Sequence, residues 1–210
     1  MFKASKLLPV SAALTLALSA AVPTALSQSG EKVEFDVNFE NLGLAEDAKA
    51  TEATMTVDGL TLTVTAQGQE LNNASKGKAI GVSGNKTGQI NADEQLTLAF
   101  DRDVMLNRMD FNGLKQKDES QPAESARVGI QALDLEFTVT HNVVAPGNDK
   151  IEAKSGDRIV FKGKKFLVPA GQPITIMADD DETRFAFQGI TVTTAGDDTA
   201  DDAEAGDEPN

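Results

Sequence analysis

The sequence predicts an all-β protein, an antiparallel two-sheet sandwich of jelly-roll-like layout, and three observations predict it. Large apolar residues recur at every second position along most of the chain, the period of a half-buried strand rather than the 3.6 of a helix. The runs are separated by short stretches rich in Gly, Pro, Asn and Asp, such as Pro146-Gly147-Asn148-Asp149, Ser155-Gly156-Asp157 and Pro169-Ala170-Gly171, which punctuate strands. No amphipathic crossover helix separates them, and parallel pairing requires one. Strands so spaced fit a sandwich or a barrel, and the jelly-roll-like sandwich is favoured over the closed barrel on architectural grounds.

The elements follow in order. Lys3 and Lys6 precede an apolar run from Leu7 to Leu18 and a small-residue stretch ending Ala25-Leu26-Ser27, the order of a secretory signal peptide. The leader is expected over 1–27, cut after Ser27, with Ala21 as a second small-residue site. Its apolar run is shorter than the roughly 20 residues of a spanning helix. The β-domain is expected over 28–194. Val33, Phe35, Val37 and Phe39 alternate with Glu34, Asp36, Asn38 and Glu40, one set inward and one toward water. Only Ala45 to Thr54 has a helical composition, and without an apolar face it reads equally as a loop or one exposed turn.

Met55 and Val57 lead through Asp58-Gly59, a favoured two-residue hairpin turn, to Leu60, Leu62 and Val64 spaced by threonines. Leu96, Leu98 and Phe100 form another alternation, and Val104 to Leu106 with Met109 and Phe111 a further strand. Lys115 to Ala126 reads as a polar surface loop. Beyond it come Leu133, Leu135, Phe137 and Val139, then the pairs Ile159/Phe161, Phe166/Val168, Ile174/Ile176, Phe185/Phe187 and Ile190/Val192. From 195 to 210 the chain carries seven carboxylates and no base, a composition that cannot build a core and reads as a disordered acidic tail.

Composition narrows the function. The formal net charge is −14, and loss of a leader with two lysines and no acid makes it more negative. Nucleic acid and anionic membrane surfaces are therefore disfavoured as partners, and no membrane insertion is expected once the leader is cut. The cysteine count is 0, which removes thiol catalysis, thiolate zinc and disulfides and fits a bacterial periplasmic, secreted or extracellular setting.

Gly81-Val82, Asn91, Glu94 to Asp101 with Val104 and Asp110-Phe111, then Ile174 to Met177 and Arg184-Phe185 with Gly189 to Val192, resemble secreted bacterial β-sandwich proteins that often carry a PEP-CTERM sorting tail. The resemblance implies an envelope or extracellular-matrix setting and no catalysis. The sequence given shows no Pro-Glu-Pro motif, following apolar helix or basic cluster, so that anchoring route is not expected.

Catalysis has few candidates. The single histidine, His141, follows a strand and reads as an exposed turn residue rather than a general base. Glu34, Asp36 and Glu40 share one side of the first strand and are similar to the Glu-x-Asp-x-x-Glu strand of jelly-roll glycosidases such as laminarinases, but the last spacing is one residue too long. Sugar-stacking sites favour Trp and Tyr, and both counts are 0. Calcium is the better-supported ion, because loop carboxylates supply hard oxygens. Asp179, Asp180, Asp181 and Glu182 form the foremost candidate, with Asp101/Asp103 and Asn91/Asp93/Glu94 as lesser ones. The expected function is a non-catalytic module binding a polysaccharide or envelope protein, with calcium as a possible stabilising ion. The alternatives are a self-assembling matrix protein and a carboxylate-dependent glycoside hydrolase.

Overall fold

A computed structural model describes residues 30–45, 48–74, 77–82, 89–91, 93–114, 124–141, 143–154, 157–163, 165–179 and 183–195. The expected leader, most of the expected 115–126 loop and the acidic segment after Ala195 lie outside them. Fifteen strands run in chain order among the described residues: β1 Lys32–Asp36, β2 Glu52–Val57, β3 Leu60–Ala66, β4 Leu71–Ala74, β5 Ala79–Val82, β6 Gln95–Phe100, β7 Val104–Asn112 and β8 Ala126–Ile130, then β9 Leu135–Val139, β10 Val144–Ala145, β11 Ile151–Lys154, β12 Arg158–Phe161, β13 Leu167–Val168, β14 Ile174–Ala178 and β15 Ala186–Thr194. No described helix is long and apolar enough to cross a membrane.

The strands form two antiparallel sheets. The first, of eight strands, has the order β11-β12-β7-β15-β5-β4, with β13 also beside β7 and β1 also beside β15. The second, of seven, has the order β10-β9-β8-β14-β6-β3-β2. The alternation read in the sequence is the reason they close on one another. In β3 every second residue is buried, from Leu60 through Ala66, and the inward residues of both sheets belong to one continuous core. Phe35 of the first sheet meets Phe100 of the second edge to face at 5.7 Å between ring centres, and Phe137 of the second meets Phe161 of the first at 6.2 Å, the offset geometry aromatic quadrupoles prefer. The result is the sandwich-like all-β arrangement the periodicity predicts.

The Asp58-Gly59 hairpin forms as expected. Val57 pairs with Leu60, and Asp58 and Gly59 both have positive φ, 49° and 73°, the primed turn whose twist matches its strands.

Elsewhere the elements differ from the expectation. The first strand stops at Asp36, although its buried alternation continues through Val37 and Phe39. Leu42 and Leu44 donate back to the carbonyls of Asn38 and Phe39, so a turn, not a strand, tucks Phe39 and Leu42 into the core. Leu133 lies in a 3₁₀ turn, Gln131–Leu133, closed by Asp134 in the left-handed region, and the strand begins only at Leu135. The segment before β2 contains no helix among its described residues, and Glu52 already pairs with Thr65. Strands β4, β5, β8, β10 and β11 have no counterpart in the sequence reading.

Candidate functional site

The outer face of the first sheet gathers charge. Register places Asp36 of β1 opposite Gly189 of β15, Gly189 opposite Asp110 of β7, Asp110 opposite Arg158 of β12 and Arg158 opposite Lys154 of β11. The next row runs Glu34, Thr191, Arg108, Val160, Glu152 across the same strands. Adjacent strands stand about 4.8 Å apart, so each row is a ladder of close side chains. Arg108 and Asp110 share the face because they are two residues apart on one strand.

Asp110 is the centre of this arrangement. Its Oδ2 accepts from Arg108 Nε at 2.7 Å and its Oδ1 from Arg158 Nε at 2.5 Å. Arg108 also donates through Nη2 to Glu34 Oε1 at 2.5 Å. The Asp110 side chain is 12% exposed, Arg108 22%, Arg158 44% and Glu34 60%. Burial opposes the charge of Arg108, but Asp110 and Glu34 outweigh it and hold the guanidinium above its ordinary pKa. Charge-assisted bonds of this kind fix direction as well as energy.

A cleft of about 290 Å³ opens between these groups, lined by Glu34, Phe35, Asp36, Arg108, Asp110, Arg158, Gln188 and Gly189, near the lower end of small-ligand sites. The local backbone builds it. The register between β15 and β7 shifts between Phe187 and Gly189, a bulge that turns Gln188 toward the cleft. Gly189 lets β1 approach, since a Cβ there would stand 2.6 Å from the Phe35 carbonyl oxygen. Beside the cleft, Thr191 is fully buried and its Oγ1 has no partner among the described residues.

The β11–β12 flank of the same face is basic. Glu152 lies between Lys154 and Lys162, each with Nζ 2.5 Å from a carboxylate oxygen, and these ammonium groups pull its pKa down to about 2. Lys165 stands within hydrogen-bonding reach of Lys150 and pushes its pKa down.

The sequence candidates fall elsewhere or apart. Asp179 accepts from Arg127 through Oδ1 at 2.9 and 3.1 Å, while Asp180, Asp181 and Glu182 lie outside the described residues. Asp101 Oδ1 caps the Thr61 N–H and Asp103 Oδ1 the Ala170 N–H, so both carboxylates tie loops to strands. Glu94 is buried and accepts from the Asn91 N–H at 2.8 Å. Burial raises its pKa against the opposing bonds from Asn91. No cluster of three potential ligands from His, Asp and Glu occurs among the described residues.

Glu34 and Asp36 do share the outer face, but Glu40 lies in the turn after β1, where Asn41 donates to the Asp36 carbonyl. The three-carboxylate strand therefore does not form. His141 is half-buried rather than exposed. Its Nδ1 lies 2.6 Å from Asp157 Oδ1, and Asp157 Oδ2 accepts from the N–H groups of Gly113 and Leu114. This is a tie between loops at one end of the sandwich.

Sequence reasoning missed Arg108, Asp110, Arg158 and Gln188. No family model matches the chain, and no curated protein or solved structure matches it significantly.

Proposed function

We propose that the chain is an exported, non-catalytic envelope or extracellular-matrix module, a jelly-roll-like sandwich that holds a polysaccharide in the cleft around Asp110. The observation that carries this reading is the locked Arg108–Asp110–Arg158 constellation beside the β15 bulge on the outer face of the first sheet. Guanidinium and carboxylate groups fixed by one another present donors and acceptors in set directions, as hydroxyl-rich ligands require when no aromatic platform is offered. The leader-like N-terminus and the resemblance to secreted bacterial sandwiches support the setting.

The test is affinity electrophoresis of the purified protein through gels containing neutral, acidic or amine-bearing polysaccharides. Retardation by at least one polymer is expected, weakened about tenfold or more in Arg158→Gln, a loss of one charged hydrogen-bonding group. No retardation by any class, or retardation that Arg158→Gln and Asp36→Asn leave unchanged, overturns the reading. Calcium at Asp179 to Glu182 is a separable part of it. A melting midpoint unmoved by millimolar calcium removes the ion and leaves the glycan.

A second reading, assembly through further copies of the chain, draws on β2. It pairs only with β3 among the described strands, and an open strand edge is a template for pairing. Sedimentation that stays monomeric at high protein concentration would remove it.

A further inference from the structure

The cleft is a gap in a row of side chains. Asp36 of β1 and Asp110 of β7 stand two strands apart, about 10 Å, and Gly189 between them contributes no side chain. The two walls differ in what they leave unspent. On the β12 side, Arg158 gives Nε to Asp110, and its two Nη groups have no acceptor among the described residues. Both Asp110 oxygens already accept from guanidinium groups. On the β1 side, Glu34 gives Arg108 one oxygen and keeps Oε2. The Asp36 carbonyl accepts from Asn41, but its carboxylate has no donor among the described residues.

The surplus charge in the cleft is therefore negative: three carboxylates, Glu34, Asp36 and Asp110, face two guanidinium groups. Lys32 shares the outer face but stands four residues from Asp36, about 13 Å along the strand. Lys154, on the far side of Arg158, is held by Glu152. A metal ion fits poorly, because Asp110 is saturated by its arginines and the described residues bring no three His, Asp or Glu ligands together. An acidic sugar meets the same carboxylates and the −14 charge of the chain, and both oppose it. An ammonium group meets neither obstacle, and its bonds to a carboxylate are about twice as strong as neutral ones.

We infer that the cleft selects a sugar residue carrying a free amine, its ammonium set against the Asp36 carboxylate and Glu34 Oε2, and its hydroxyl or ring oxygens on the Nη groups of Arg158. This rests on the reading of the cleft as a glycan site and names the class of glycan. Asp36 determines the specificity, since among the described residues it is the one carboxylate of the cleft with no cation already on it. Gly189 gives the amine room, because a side chain there would fill the space between Asp36 and Asp110. Acetylating the amine removes its charge and adds bulk on the side facing Asp36, so the N-acetylated sugar is disfavoured twice.

The experiment is isothermal titration calorimetry of the full chain with a chitosan tetrasaccharide, its N-acetylated counterpart and a galacturonic acid tetrasaccharide. The amine form should bind about tenfold or more tighter than either of the others. Asp36→Asn should lower its affinity about tenfold, the loss of one charge-assisted bond, and leave the N-acetylated form nearly unchanged. Glu136→Gln removes an exposed charge from the outer face of the second sheet. It reports the long-range attraction of a cation to an acidic chain and should change the amine affinity less than about twofold, since salt screens that distance. Equal affinity for the amine and N-acetylated forms, tighter binding of the acidic form, or equal losses in Asp36→Asn and Glu136→Gln overturns the inference and leaves a glycan site standing. If none of the three binds, the inference falls, and the glycan reading falls with it only when no polysaccharide retards the protein.

Discussion

Replacing Asp110 by Asn removes one negative charge from between two arginines. In the native protein its two oxygens each accept from a guanidinium Nε, at 2.5 and 2.7 Å. The amide retains one acceptor oxygen and turns an NH₂ toward the other arginine, so one of two charge-assisted bonds is lost. Bonds to charged groups contribute about 1.5–3 kcal/mol each, and stranding a fully buried partner costs about 3–5 kcal/mol. Neither arginine is fully buried, Arg108 being 22% and Arg158 44% exposed, so water recovers part of the loss. A net destabilisation of about 2 kcal/mol follows, or roughly 4–8 °C in Tm for a domain of this size.

Urea unfolding at pH 7 followed by circular dichroism is the assay. The midpoint should fall with the slope unchanged, because the surface exposed on unfolding is the same. Glu34→Gln should cost less than about 1 kcal/mol, since Glu34 is 60% exposed. The Asp110→Asn/Arg158→Gln double variant should lose less than the two single variants together. An Asp110→Asn midpoint within error of the parent, or strict additivity in the double variant, would refute Asp110 as the organising residue of the cleft.

Two further outcomes follow from single sites. Gly189→Ala should cost about 2–3 kcal/mol by the same unfolding assay, as overpacking does, because its Cβ would stand 2.6 Å from a backbone oxygen of β1 that side-chain repacking cannot move. Burial raises the pKa of Glu94 above its ordinary value near 4.5, so the folded state binds its proton more tightly than the unfolded state does. That contribution is complete below the ordinary value and is lost as pH rises through the raised one. Glu94→Gln, which cannot ionise, should accordingly melt above the parent at pH 7, with the difference closing as pH falls toward 4.

The parts of the fold legible in the sequence are those where strand period and turn chemistry agree. Strands β3 and β6 combine clean alternation with Asp58-Gly59 or with flanking polar turns and form where expected, while β2 takes in Met55 and Val57 as expected but begins earlier, at Glu52. Alternation misleads where burial outlasts pairing: Val37 and Phe39 are as buried as Val33, yet the chain is turning. Strand β11 carries one large apolar residue, Ile151, and exists because β12 pairs with it. Strand β8 hides behind Ala126 and Gly129, small residues that leave little periodic signal.

The cleft was only half legible. The two-residue spacing of Arg108 and Asp110 places them on one face, but their bond to Arg158, 48 residues beyond Asp110, depends on β12 lying beside β7. Such adjacency is a property of sheet order that local periodicity does not encode. His141 was misread for the same reason, since its partner Asp157 comes from the far side of the β10–β11 segment.

The most direct test of the account is amide chemical-shift mapping by NMR, with an oligosaccharide cut from whichever polysaccharide retards the protein. Shifts concentrated at Glu34, Asp36, Arg108, Arg158, Gln188 and Gly189 are expected, with the outer face of the second sheet unmoved. Shifts clustered on Thr54, Thr63 and Thr97 of that second face, with the cleft silent, would contradict it.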